Sequence, residues 1–166
     1  MTTFESFRRI PDFPDYMIGS MGNVYNSEFN RWMTLSPTEG GDLTVGLMRD
    51  GTQYRRSVKV LVARAFVPGE DHVFDTPIQL DNDKENLRAD NIRWRPRWFA
   101  WRYFRQFADP PPISFTGPVL DTTTGIEYED VLHAAMGTGT LVADIRQSLL
   151  HRKPVFPTKS VFEYRY

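Results

Sequence analysis

Cysteine is absent from this 166-residue chain, which excludes disulfides and any thiolate zinc site. No apolar run approaches the roughly 18–20 residues that a membrane span requires. The start carries no signal-peptide pattern. Together these absences lead us to expect a soluble, intracellular protein with no membrane partner. Tandem repeats are lacking too. Net charge is nearly nil, with 20 basic residues against 21 acidic ones. A surface that binds a polyanion must then come from local clustering, because phosphate contacts depend on the local field.

Clustering is present. Residues 70–85 are acidic, with Glu70, Asp71, Asp75, Asp81, Asp83 and Glu85 against a lone Lys84. Residues 88–105 are basic, with Arg88, Arg93, Arg95, Arg97, Arg102 and Arg105 against Asp90. Hydrophobic residues make up 40% of the chain, enough for one core or several small modules and too many for a disordered segment.

Residues 7–47 read as short strands broken by turn residues, and Asp50-Gly51 is a hairpin signal. Val58, Leu61, Val62, Ala65 and Phe66 recur at helical spacing, and Pro68-Gly69 ends that helix. Residues 74–80 are expected as a strand and residues 86–94 as a short helix. A helix is predicted from Pro96 to Phe107, packing Trp94, Trp98, Trp101 and Phe104 inward with the arginines outward. The run Asp109-Pro110-Pro111-Pro112 reads as a stiff linker. Beyond it we expect a strand at residues 119–121 and a Thr-rich turn ending at Gly125. Helices at 129–136 and 140–150, joined by a tight turn at 137–139, and a closing strand at 161–166 complete the chain.

In this order the segments resemble the phage-type HNH homing endonucleases. That family joins a nuclease-associated β module, an HNH core of the His-Me finger type and a C-terminal helix-turn-helix. Phe7-Arg8-Arg9-Ile10 followed by residues 16–25 (YMIGSMGNVY) is similar to the family's "I…Y.IS..G.V" opening. Residues 57–66 (SVKVLVARAF) resemble its "VHRLVA.AF" helix, and residues 81–94 (DNDKENLRADNIRW) its "DGNK.NN…NLRW" run. Residues 125–166 are similar to the terminal helix-turn-helix. The resemblance implies an α+β fold: a small antiparallel sheet, a central ββα-metal core and a helix-turn-helix flanked by short strands. It also implies four parts: residues 1–56, a β module; 57–94, a degenerate HNH core; 95–116, a basic-aromatic helix with its proline linker; and 117–166, the helix-turn-helix.

The family's chemistry places one divalent metal between a strand residue and an Asn or His on the following helix. A His beside the strand ligand activates water. Matched position by position, the helix ligand falls on Asn91 and the central structural Asn on Asn86. The general base falls on Gln79 and the strand ligand on Ile78, while Lys59 replaces the His of the "VHRLVA" helix. A carboxamide does not take up a proton near neutral pH, and isoleucine offers no lone pair to a hard cation. We therefore expect no catalytic residues, no metal site beyond the vestigial ligand Asn91, and no cofactor. Magnesium or manganese enters only in the alternative of a residual nickase, where Asp75 or Asp81 shifts inward or His72 serves as base.

Candidate contacts to double-stranded DNA are Arg93, Arg95, Arg97, Arg102 and Arg105 on the basic segment, Arg55, Arg56 and Lys59 near the hairpin, and Thr138, Thr140, Arg146 and Gln147 on the second terminal helix. Ala143 shares that expected exposed face, where Asp144 opposes phosphate. The competing readings are a solvated basic face and a helix pair used only for packing. The oxygen-rich run at 81–85 lacks an EF-hand's glycine and terminal glutamate, so we read it as a solvated turn. His133 is expected on a helix surface and His151 at a helix C-terminus. The function implied is DNA binding by a degenerate HNH homing endonuclease, in the host cytoplasm if phage-encoded. A third alternative is a protein-binding phage factor that reuses the fold.

Overall fold

A computed structural model describes residues 4–110 and 117–165. Part of the expected proline linker, residues 111–116, and the last residue of the expected closing strand lie outside the described residues. Among the described residues the fold is mixed α+β, with small antiparallel sheets and four α-helices. It divides into two compact units, Met1–Arg97 and Trp98–Tyr166.

In the first unit, β1 (Phe7–Ile10), β2 (Phe13–Gly19), β3 (Val24–Asn26) and β4 (Arg31–Trp32) form an antiparallel sheet in chain order. β5 (Ser36–Pro37), β6 (Leu43–Arg49) and β7 (Thr52–Ser57) form a second. Asp50 and Gly51 both take positive φ, 51° and 76°, the conformation that lets a two-residue turn follow the strands' twist. Ser57 caps α1 (Val58–Phe66), its side chain accepting from the Val60 N–H. Val58, Val62 and Ala63 turn inward from α1 onto Tyr16, Ile18, Val45 and Leu47, and Leu87, Ile92 and Trp94 complete this core.

β8 (Thr76–Gln79) and β9 (Ile92–Arg95) form an antiparallel pair with Ile78 opposite Arg93 and Gln79 opposite Ile92. The short helix expected over residues 86–94 is therefore corrected: a single 3₁₀ turn, Ala89–Asn91, leads straight into β9. Side chains capture the backbone donors that a helix would use. Asp81 accepts from the Asp83 N–H, Asp83 from the Glu85 N–H and Asn86 from the Arg88 N–H. Ile92 and Trp94 then alternate inward about exposed Arg93, which is the period of a strand.

The second unit holds most of α2 (Arg97–Ala108), then β10 (Val119–Asp121), β11 (Ile126–Tyr128), α3 (Val131–Thr138), α4 (Val142–His151) and β12 (Phe162–Tyr164). β10 lies between β11 and β12. Gly137 and Thr138, expected in a turn, instead finish α3, and Gly139 closes it in the left-handed region at φ 66°. Buried Asp121 accepts from the Ser160 hydroxyl at 2.8 Å and the Thr123 N–H at 2.9 Å, joining the β10 turn to the approach to β12.

The facing expected for α2 is corrected in part. Trp98, Trp101 and Phe104 are exposed, whereas Phe99, Ala100, Tyr103 and Gln106 make the buried face. Phe99 stacks on Tyr103 with centroids 6.2 Å apart, and Gln106 accepts from the Val142 N–H at 2.9 Å. Helical spacing allows either stripe. The buried one is chosen by Gln106, whose carboxamide supplies the acceptor that the first turn of α4 needs, since Leu141 at its N-cap offers none.

Candidate functional site

The loop between β8 and β9 gathers the residues on which the expected chemistry turns. Gln79 is buried at the end of β8, and its Nε2 donates to the Asn86 carbonyl at 2.9 Å. Asn91 donates from Nδ2 to Asp81 Oδ1 at 2.8 Å and to the Asn86 carbonyl at 3.0 Å, while its Oδ1 accepts the Asp81 N–H at 3.2 Å. Asn86 in turn donates from Nδ2 to Asp81 Oδ2 at 2.6 Å. Burial works against the Asp81 carboxylate, but hydrogen bonds from Asn86, the Asp83 backbone and Asn91 outweigh it and lower its pKa.

This network fits a hard divalent cation poorly. Turning the Asn91 amide over to release its oxygen sets that oxygen against a carboxylate and a carbonyl, both acceptors. Asn91 stands on the 3₁₀ turn rather than on a helix. Ile78, where the strand ligand was expected to fall, is a hydrocarbon only 3% exposed. No group of three or more His, Asp or Glu side chains able to hold a metal occurs among the described residues. Asp75 and His72 are exposed, and Asp75 accepts from the Thr76 hydroxyl. The centre is a closed amide–carboxylate network.

The basic candidates separate by environment. Arg93, Arg97, Arg102 and Arg105 are exposed. Arg95 is not, and its expected outward position is corrected: it is buried and donates to the Trp94 carbonyl at 2.8 Å. Arg88 is paired with Asp90 at 3.1 Å, which removes it from the basic stripe. The guanidinium of Arg102 lies 5.6 Å from the Trp98 ring centroid and that of Arg105 4.8 Å from that of Trp101. Those outward indoles hold the cations in place, a role not read from the sequence. Near the hairpin the supposed cluster diverges: Arg55 bonds Thr44, Arg56 lies over Phe13 and Tyr54, and Lys59 pairs with Asp42 at 3.5 Å.

On the terminal helices, Ala143 and Gln147 are exposed, while Thr138 and Arg146 are half-buried. Thr140, expected on the outer side, is fully buried, with its hydroxyl 2.7 Å from that of Thr138. It belongs to the α3–α4 junction. Burial raises the pKa of Asp144, an effect that Arg102 opposes.

A solved structure describing DNA binding and cleavage by the HNH homing endonuclease I-HmuI matches this architecture. The TM-score is 0.58 over 96% of this chain and 98% of that chain. The fold is HNH-like. Sequence identity to I-HmuI is 19%, so the likeness concerns backbone architecture rather than individual side chains. No protein-family model matches the chain, and no curated protein does. Asp81, the acceptor at the centre of the loop network, was missed as an organiser. Its signal was the alternation of Asp81, Asp83 and Glu85, which favours side-chain-to-backbone turns. No helix in the described residues is long and apolar enough to cross a membrane.

Proposed function

We propose that this chain binds double-stranded DNA on a degenerate HNH homing endonuclease scaffold, of phage origin, and does not cut it. In this reading β8 and β9 are the strand pair of a His-Me finger core, α2 is the helix that follows it in the chain, and α3–α4 is a helix-turn-helix. The observation that carries the loss of cleavage is the closed network at Asn91, together with the hydrocarbon of Ile78 and the donating carboxamide of Gln79. Hydrolysis requires a base to take a proton from water and a ligand set to hold the metal, and these side chains supply neither. Support for binding comes from the architecture shared with I-HmuI and from the exposed Arg93, Arg97, Arg102 and Arg105. Arg55, Arg56, Lys59, Thr138, Arg146 and Gln147 are secondary candidates.

One observation favours residual nicking. Asp81 is held ionised beside Asn91, so a carboxylate stands within reach of the vestigial ligand. Two measurements decide. Gel shifts of duplex DNA at rising salt should show binding that weakens with salt. Supercoiled plasmid with magnesium or manganese should remain supercoiled. Nicking that Asn91→Ala abolishes establishes the nickase, and binding indifferent to salt sinks the DNA reading.

A further inference from the structure

We propose that the outer face of the first sheet is a binding site for an unstacked nucleotide of single-stranded DNA. The pairing of β1 to β4 sets Arg9 opposite Met17, Met17 opposite Tyr25, and Tyr25 opposite Trp32. Because Tyr16, Ile18 and Val24 point into the core, alternation places this row on the other face. Phe7 joins it. Together Phe7, Met17, Tyr25 and Trp32 line a hollow of about 210 Å³.

Trp32 is 60% exposed, which is unusual for so large an apolar side chain in a sheet. It is nevertheless held from two sides. Phe7 packs with its centroid 5.6 Å away, and Tyr25 meets it edge-on at 5.0 Å and 62°. A ligand that stacks on this indole meets a side chain already ordered, so little rotamer entropy remains to be lost.

Beside the hollow runs a second groove of about 310 Å³ that shares Trp32 as a wall. Arg31 and Arg55 line it, with Ser36, Thr34 and Gln53. Among the described residues, no carboxylate lines either groove. An aromatic shelf next to two guanidinium groups suits a nucleotide: the base lies on the rings and the phosphate meets the cations. A purely apolar partner leaves the arginine groove unused. A duplex keeps its bases paired and stacked, with no base face to offer, so the ligand is single-stranded. None of the residues on the aromatic shelf belongs to the proposed duplex-binding set; Arg55 of the adjoining groove is a secondary candidate there, so Trp32 carries the distinction between the two readings.

The test is fluorescence anisotropy of labelled oligothymidine titrated with the full chain at low salt. Trp32→Ala should weaken binding roughly tenfold or more, and Trp32→Phe should recover most of it. The double variant Arg31→Gln/Arg55→Gln should weaken binding and flatten its salt dependence. Far-UV circular dichroism establishes that each variant is folded, and Trp32→Ala should leave the duplex gel shift unchanged. Oligothymidine binding that ignores Trp32→Ala, or no binding by the native chain, overturns the proposal. So does tighter binding of oligouridine RNA, equal loss of duplex and single-strand binding, or a dimer that Trp32→Ala dissolves while oligonucleotide is not bound.

Discussion

Asn91 and Asp81 hold each other in both directions: the Asn91 amide donates to the Asp81 carboxylate at 2.8 Å and accepts the Asp81 backbone N–H at 3.2 Å. The residue on which the proposed reading places a vestigial metal ligand is thereby used to close a loop. Asn91→Ala should destabilise the first unit by about 1–3 kcal/mol in urea titrations, the usual effect of unpairing buried polar groups. Asn91→Asp should be worse at neutral pH and recover as pH falls. There a second anion faces the Asp81 carboxylate, whose native pKa is lowered, and protonation relieves the repulsion. A variant equally unstable at both pH values counts against this.

On the proposed reading, placing an imidazole at position 79 alone should not produce cutting. Gln79→His leaves Ile78 in place and the Asn91 oxygen engaged, so plasmid should stay supercoiled with magnesium. Adding Ile78→Asp buries an unpaired carboxyl at a position 3% exposed. That should cost about 3 kcal/mol or more, read from the shift in urea midpoint.

The arginines of α2 should act through phosphate. Arg102→Gln and Arg105→Gln should each lower the slope of log affinity against log salt by about 0.9 for duplex DNA. Arg95→Gln should change stability instead, because that side chain is buried. Equal slopes for all three variants would remove the distinction.

His133 offers a pH-linked check on the helix pair. It sits 2.9 Å from Asp130, the N-cap of α3, and that hydrogen bond and charge raise its pKa above 6.5. The stability this adds is fully present below 6.5 and lost as pH rises through the raised folded value. An NMR titration should show the raised pKa, and Asp130→Asn should bring it down. A midpoint unmoved by Asp130→Asn contradicts the assignment.

Fixing Asp121 should matter more than its place in a short strand suggests. Asp121→Ala removes the buried acceptor for Ser160 and Thr123 inside the second unit. A loss of about 2–3 kcal/mol in thermal or urea unfolding is expected, with Asp121→Asn intermediate.

Where local pattern and tertiary demand agreed, the elements could be read in advance. Asp50-Gly51 must turn, Val58 and Val62 share a helical face, and Val119 opens a strand. The reading failed where polar side chains compete with helix hydrogen bonds, as at residues 81–91. It also failed where one helix carries two apolar stripes. In α2 both Trp98–Trp101 and Phe99–Tyr103 have helical spacing, and nothing local says which is buried.

What the amino-acid sequence determined by itself was chemical identity: an amide at 79 and a hydrocarbon at 78 are fixed by the chain, whatever its fold. Only the tertiary structure decided which groups those side chains meet. Hydrogen bonds and burial are relations between residues distant in the chain. The partners of Asn91, the burial of Arg95 and Thr140, and the exposure of Trp32 all arise from such packing.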